Sequence, residues 1–193
     1  DVFVFDNLST GKVENVNSKA WFDERVDISS QTMQWYISEF VRANKIDTIF
    51  HLAAAARVQP SIEDPLSFNQ TNVTGTLALL KAAVDNKVKR FVFSSSSSVY
   101  GDVSYTPTDE EHRTDPLSPY GAQKLIGEIY CRQFYKTHGL RSTCLRYFNA
   151  YGERQLLEGA YCLVMGKFAQ QILNGEPMTI RGDGEQRRDF TYV

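Results

Sequence analysis

The chain has 193 residues, 42% of them hydrophobic and 23% charged, with a formal net charge of −2 and no basic block. That length allows one domain burying about 70% of its unfolded surface, and the charge balance excludes the footprint of a nucleic-acid or anionic-membrane binder. Cys131, Cys144 and Cys162 match no metal-ligand spacing and read as reduced thiols of a cytoplasmic protein, while no apolar run approaches the ~20 residues of a membrane span. No metal is expected, and small molecules are the expected partners.

Asp1 leads straight into Val2-Phe3-Val4-Phe5, a strand with no loop before it, so the chain reads as a piece whose beginning lies elsewhere. Apolar runs and helical patterns then alternate. They predict a strand near 25–28, a helix at 31–43, a strand at 47–53, a helix at 65–85 and a strand at 89–95. A helix at 118–138, a strand at 141–148, a helix at 161–174 and a short strand at 178–180 follow. Pro65 suits a first helical turn, and Gly139 suits a left-handed helix end. Residues 101–119 carry Asp102, Pro107, Asp109, Pro116 and Pro119 without apolar periodicity and read as a surface excursion. Continuous apolar strands separated by long crossovers predict an α/β fold with a doubly wound parallel sheet and helices on both faces.

In such a sheet, ligands lie across the carboxyl ends of the strands. The strand ends supply Asp6, Asp27, His51 to Ala56, Ser94 to Ser98, and Arg146 to Asn149. Asp6, directly after an apolar strand, suits either a carboxylate accepting from the two hydroxyls of an adenosine ribose or ordinary Asp-Asn turn chemistry. "FHLAAAARV" ends a strand in small residues, which permits close approach of a ring or a ribose and equally permits close helix packing. His51, alone in an apolar strand, reads as a structural core residue.

"SSSSSVYG", residues 94–101, resembles a linker in composition only. It follows Phe91-Val92-Phe93, so its hydroxyls leave the end of a buried strand. "PYGAQK" sets Tyr120 and Lys124 four residues apart in a helical segment, on one face and one turn apart. An ammonium beside a phenol favours the phenolate, as a cationic nicotinamide would, and the two are expected to lower the Tyr120 pKa toward neutrality, which makes a base able to take a proton from an alcohol. With ten tyrosines in the chain, chance supplies about half of one such pair. The pair gains weight from the serine strand end 24 residues upstream. Asn149 and Arg188 suit ligand contacts, an amide or hydroxyl for the first and a diphosphate for the second; each equally suits a turn or solvated position.

In chain order, "FDNLSTG", "VDIS", "HLAAAA", "NVTGTL", "SSSSSVYG", "SPYGAQK", "LRYFNAYG" and "GDGEQRRDFTYV" resemble the extended short-chain dehydrogenases/reductases, specifically the nucleotide-sugar epimerase/dehydratase group and, within it, UDP-hexose 4-epimerases. The resemblance implies a Rossmann-like fold whose first βα unit, with its Gly-rich turn, would precede Asp1, so the chain as given is expected to bind NAD weakly or not at all. Residues 1–193 would be a partial NAD-binding domain, with 150–193 beginning the substrate-binding region.

It also implies NAD contacts from Asp6, Asn7, Ser9, Thr10, Gly11, Asp27, Ile28, Leu52, Ala53, Ala54, Ala56, Asn72, Ser94 and Tyr147. Tyr120 and Lys124 would sit on the nicotinamide ribose. Ser96, Tyr120 and Lys124 would be catalytic, and Ser96, Ser97, Ser98, Asn149 and Arg188 would bind a UDP-sugar. The implied activity is NAD-dependent inversion at C4 through a transient 4-keto sugar, in a cytoplasmic homodimer. Ser97-Ser98 stands where the 4,6-dehydratase branch resembles Asp-Glu, and Ser98 stands where the decarboxylase branch tends to carry glutamate. The alternatives are a UDP-uronate epimerase or decarboxylase, another nucleotide-sugar enzyme of this family, and a non-catalytic remnant.

Overall fold

Strand β1, Phe3–Phe5, runs parallel to β2, Trp21–Asp23, pairing Phe3 with Trp21 and Phe5 with Asp23. The computed structural model describes residues 1–157, 162–180 and 182–193. Helix α1, Gln31–Ala43, puts Met33, Tyr36, Ile37, Phe40 and Val41 on one stripe at helical spacing. That stripe packs on the first ladder through Phe40, whose ring lies 5.3 Å from Phe3 and 4.9 Å from Phe5.

Strand β3, Thr48–His51, pairs parallel with β4, Arg90–Ser96, and β5, Arg141–Tyr147, lies on the other side of β4. Between β3 and β4 come α2, Val58–Glu63, and α3, Pro65–Asn69. A π-helical turn, Gln70–Gly75, then leads into α4, Thr76–Asp85. Asp64 caps α3 by accepting the Ser67 N–H, with Pro65 in the first turn, where its missing donor costs nothing. Helix α5, Pro119–His138, starts at Ser118, which accepts the Gly121 N–H, and ends at Gly139 with φ 72°. One apolar core joins Ile37 and Val41 of α1, Leu79, Leu80 and Ala83 of α4, Phe91 and Phe93 of β4, and Cys131 of α5.

Residues Asp1–Arg146 form one compact unit and Tyr147–Val193 a second. Within the second, β6, Asn149–Tyr151, pairs parallel with β7, Phe190–Tyr192, and α6 covers Val164–Leu173.

The parallel α/β class agrees with the sequence reading, and five local expectations change. The strand expected near 25–28 lies at 21–23 instead, because Val26 and Ile28 enter the core from a turn rather than from a ladder. The 178–180 strand is absent among the described residues: Thr179 instead bonds both its N–H and its hydroxyl to the Gln171 side chain. Residue 161, expected to begin the last helix, lies outside the described residues; α6 begins at Val164. Helix α2 and the β6–β7 pair have no counterpart among the sequence-based expectations. Finally, the strands form three separate sheets among the described residues, two of two strands and one of three, and α1, α4 and α5 share one core. Phe50 of β3 and Leu52 just after it are 66% and 67% exposed.

Candidate active site

The site begins at the end of β4. Phe91 and Phe93 are buried, and the strand then delivers Ser94, Ser95 and Ser96 in succession. Ser96 closes the strand and caps a 3₁₀ turn, Ser97–Val99, by accepting the Ser98 N–H at 3.1 Å. Its hydroxyl also lies 3.1 Å from that of Ser98. The serine run is thus ordered at its strand end by its own hydrogen bonds.

Helix α5 comes to this edge closely because Gly121 has no side chain. A Cβ there would stand 2.6 Å from the Ser98 carbonyl oxygen. Tyr120 is held by its backbone, whose N–H donates to the Ser61 hydroxyl at 3.1 Å, while Ser61, fully buried, donates to Val58 O at 2.6 Å. One turn on, the Lys124 ammonium, 4% exposed, donates to Ser94 O at 2.8 Å and lies 5.9 Å from the centre of the Tyr120 ring. Among the described residues that carbonyl is its hydrogen-bond partner.

Electrostatics here correct one expectation. Burial raises the Tyr120 pKa above its ordinary value, against the hydrogen bond from Ser96 and the charge of Arg57, and Lys124 is not among the causes. The ammonium is tied to Ser94 and burial drives its own pKa down to about 8, so Lys124 by itself does not acidify Tyr120 in this arrangement. Arg57 has a φ of 103°, an outlier for a side-chain-bearing residue.

Asn72, 2% exposed, closes the β3 end of the site. Its carbonyl accepts the Ala55 N–H at 2.9 Å, and its amide donates to Ala55 O and Gln123 Oε1, both at 2.8 Å. The Asn72 amide is therefore spent on shaping the Ala53–Ala56 backbone and tying it to α5. His51, assigned a structural role, lies 2.8 Å from Thr76 Oγ1 and is buried.

On the first ladder, Asp6 Oδ1 accepts the Leu8 N–H at 2.7 Å as the chain turns sharply, with Leu8 at φ 52°. Gly11 folds back over that carboxylate, since a Cβ there would meet Asp6 Oδ1 at 3.2 Å. Asn7 reaches Asp27 at 3.4 Å, and the Ser29 hydroxyl, donating at 2.7 Å, holds the Asp27 carboxyl below its ordinary pKa. Asp6, Asn7 and Asp27 therefore converge on one edge, with Ser9 and Thr10 exposed beside them.

In the second unit, Asn149 bonds its amide to Asp189 O at 3.0 Å, next in sequence to exposed Arg188, and Tyr147 is 47% exposed. Among the described residues, no group of His, Cys, Asp and Glu is arranged to hold a metal ion, and no helix is long and apolar enough to cross a membrane.

Residues 1–193 match the NAD dependent epimerase/dehydratase family. The chain belongs to that family. It is 35% identical over 193 residues to the UDP-glucose 4-epimerase of Mycolicibacterium smegmatis, covering 97% of this chain and 60% of that protein. The crystal structure of UDP-glucose 4-epimerase with UDP-glucose from Thermotoga maritima superposes with a TM-score of 0.93 at 40% identity, over 99% of this chain and 61% of that one. The Thermus thermophilus UDP-glucose 4-epimerase complex with NAD superposes with a TM-score of 0.89 at 35% identity, over 100% and 62%. The chain thus spans about 60% of the length of these relatives.

For this epimerase/dehydratase family member, the structure brings together Ser94, Ser96, Tyr120, Lys124, Asn72 and the Ala53–Ala56 backbone, and gathers Asp6, Asn7 and Asp27 on a second edge. Ile28 contributes its side chain to the core and Leu52 stands exposed. The sequence pattern does not single out Ser61, Arg57, Gln123 or Glu128. Gln123 and Glu128 lie close to Lys124 along the helix, at one position before and four after, and helical spacing from Tyr120 could have found Glu128.

Proposed function

We propose that this chain carries the NAD-contacting and acid–base residues of an enzyme whose full-length form inverts C4 of a UDP-sugar through a transient 4-keto sugar. One observation carries the reading: the buried Lys124 ammonium lies 5.9 Å from the centre of the Tyr120 ring, on a helix whose Gly121 lets it come close to the Ser96–Ser98 strand end.

The residues present fit the cofactor's ribose ends. Lys124 keeps N–H donors beyond the one given to Ser94, and Asp6 uses one carboxylate oxygen on Leu8. Small residues form the Ala53–Ala56 backbone between them. Asp6, Asn7 and Asp27 would hold the adenosine end, and Lys124 and Tyr120 the nicotinamide ribose, with Asn72 acting through Ala55. NAD, when bound, supplies the reversible hydride acceptor that chemistry at C4 requires.

Tyr120 takes the proton from the sugar O4 and later returns one. Ser96 bonds both that oxygen and the phenol, so it lowers the cost of the transfer and fixes its direction. With the phenol's pKa raised by burial, the phenolate is a stronger proton acceptor once formed, and Ser96 and the Arg57 charge oppose that rise. Ser97, Ser98, Asn149 and Arg188 are assigned to the UDP-sugar, residues 150–193 to the start of the substrate-binding region, and the working form to a cytoplasmic homodimer. UDP-glucose is the first substrate to test, because the Thermotoga maritima relative is described with it.

The test is a coupled assay of the full-length enzyme on UDP-glucose, UDP-N-acetylglucosamine and UDP-glucuronate, with Tyr120→Phe beside it. At least one sugar should yield its C4 epimer without net oxidation, and the Phe variant should lose roughly 10²–10⁴ in kcat. Absence of any C4 epimer, or a Phe variant as fast as its parent, rejects the reading.

A further inference from the structure

Glu128 is largely buried beside the site, and the acid–base chemistry assigned above makes no use of it. It stands eight residues after Tyr120 and four after Lys124, so the three share one stripe over successive turns of α5. Two of the three hold strand-end serines directly: Lys124 binds the Ser94 carbonyl, and Glu128 Oε1 accepts from the Ser95 hydroxyl. The Ser96 hydroxyl that follows acts on the Tyr120 phenol and favours its ionised form. Ser95 is 4% exposed, and its bond to Glu128 is the short one of the set.

Glu128 is itself fixed from the next strand. Arg146 donates to it bidentately, Nε to Oε1 at 2.9 Å and Nη2 to Oε2 at 2.8 Å, with side chains only 22% and 12% exposed. The same guanidinium reaches Glu110 O at 3.4 Å and lies 4.8 Å from the centre of the Tyr100 ring. A planar fork on a carboxylate fixes direction as well as distance. One ion pair therefore joins β4, α5, β5 and the 101–118 excursion behind the Tyr120–Ser96 contact.

We infer that Glu128, held by Arg146, is a positioning residue of the proposed epimerase site: it sets where the Ser96 hydroxyl meets the Tyr120 phenol. Two turns of helix, about 12 Å, separate it from Tyr120, so it acts through Ser95 and the strand end rather than on substrate. The inference rests on the functional reading above. Its consequence is directional. Freed from Glu128, Ser95 no longer pins the strand, the Ser96–phenol hydrogen bond lengthens, and the proton acceptor loses the group that favours its ionised form. The charged groups facing the phenol, Arg57 and Lys124, stay in place.

The experiment uses the full-length protein with Glu128→Ala, Glu128→Gln and Arg146→Lys. Two readouts are taken: kcat and KM for the UDP-sugar per NAD-loaded site, and titration of the Tyr120 phenol by ultraviolet difference absorbance in NAD-free protein, with Tyr120→Phe as the blank. Glu128→Ala should lower kcat on the order of 10²-fold, the scale of a 1 Å misplacement, while KM moves less than about threefold. Its phenol should titrate at higher pH than the parent's. Glu128→Gln still accepts from Ser95 and should recover most of both effects; Arg146→Lys, which loses the fork, should fall between.

A folded Glu128→Ala protein with parental kcat and parental phenol titration overturns the inference. So does a loss in which Gln is no better than Ala and only the folded fraction falls. If Ala fails to fold, the Gln and Lys variants decide by the same readouts. If the parent turns over no UDP-sugar, the functional reading falls, and the phenol titration alone decides whether Glu128 positions Tyr120.

Discussion

The Lys124 ammonium points into the protein and donates to the Ser94 carbonyl at 2.8 Å, with 4% of the residue exposed. Burial moves its pKa from 10.5 to about 8. Between those values the unfolded chain holds a proton that the folded chain has released, so stability rises with pH across the window.

Lys124→Met keeps the stem's length and removes the charge. Its stability should be flat where the parent's climbs, so the difference between them should shift by about 3 kcal/mol toward the parent from pH 8 to 10.5. Urea midpoints at half-unit pH steps measure it. Parallel curves for the two proteins would show that Lys124 is ionised in the fold as readily as in water.

His51 gives the matching acid-side prediction. Burial, and then the charge of Lys124, hold its pKa down to about 3, and its Nε2 lies 2.8 Å from Thr76 Oγ1. As pH falls below 6.5 the unfolded chain takes up a proton that the folded imidazole refuses until about 3, so stability is lost progressively over that range. The loss should be on the order of 5 kcal/mol by the lower end. His51→Gln, which can still reach Thr76 through its amide, should unfold at lower pH than the parent when both are followed by circular dichroism. An unchanged acid midpoint would remove His51 from the account.

The contrast between these two residues shows what the sequence makes legible. The element order, the α5 end at Gly139, and the pairing of Tyr120 with Lys124 beside the serine strand end follow from apolar runs, turn residues and helical spacing, all of which are local; the choice of Ser96 within that run comes from the family resemblance. Residues paired across long separations leave no such trace. Asn72 reads as a ligand contact from its motif, yet its amide is consumed by Ala55 and Gln123, 17 and 51 residues away. The β2 register escapes the sequence for a related reason. Val26 and Ile28 alternate like a strand and are buried like one, but Asp23 is the residue opposite Phe5.

Ser61 also tests such a long-range contact. Its buried hydroxyl accepts the Tyr120 N–H and donates to Val58 O, joining α2 to the first turn of α5 across 59 residues. Ser61→Ala leaves a helix-terminal N–H and a carbonyl without that partner at a part-buried contact. The cost should be about 1–3 kcal/mol, measured as a lowered urea midpoint at unchanged slope. Ser61→Thr, which restores the hydroxyl but adds a methyl to a filled space, should recover only part of it. A neutral Ser61→Ala would mean that the first turn of α5 finds another acceptor.

Gly127 decides how near α5 can lie to β4. A Cβ there would stand 2.4 Å from Phe93 Cζ and 2.7 Å from its Cε1. Phe93 is 1% exposed and lies under the Lys124 ammonium, 5.1 Å from it, so the ring has little room to retreat. Gly127→Ala must therefore lift the helix or turn the ring, at about 1–3 kcal/mol, and either movement shifts Lys124 against Ser94. Phe93→Leu shortens the obstructing side chain. In the Gly127→Ala background it should cost less than it does alone, a coupling of roughly 0.5–3 kcal/mol. Additive costs in that double-mutant cycle would show that the helix and strand meet elsewhere, and that Gly127 is not what brings the Tyr120 stripe to the serine edge.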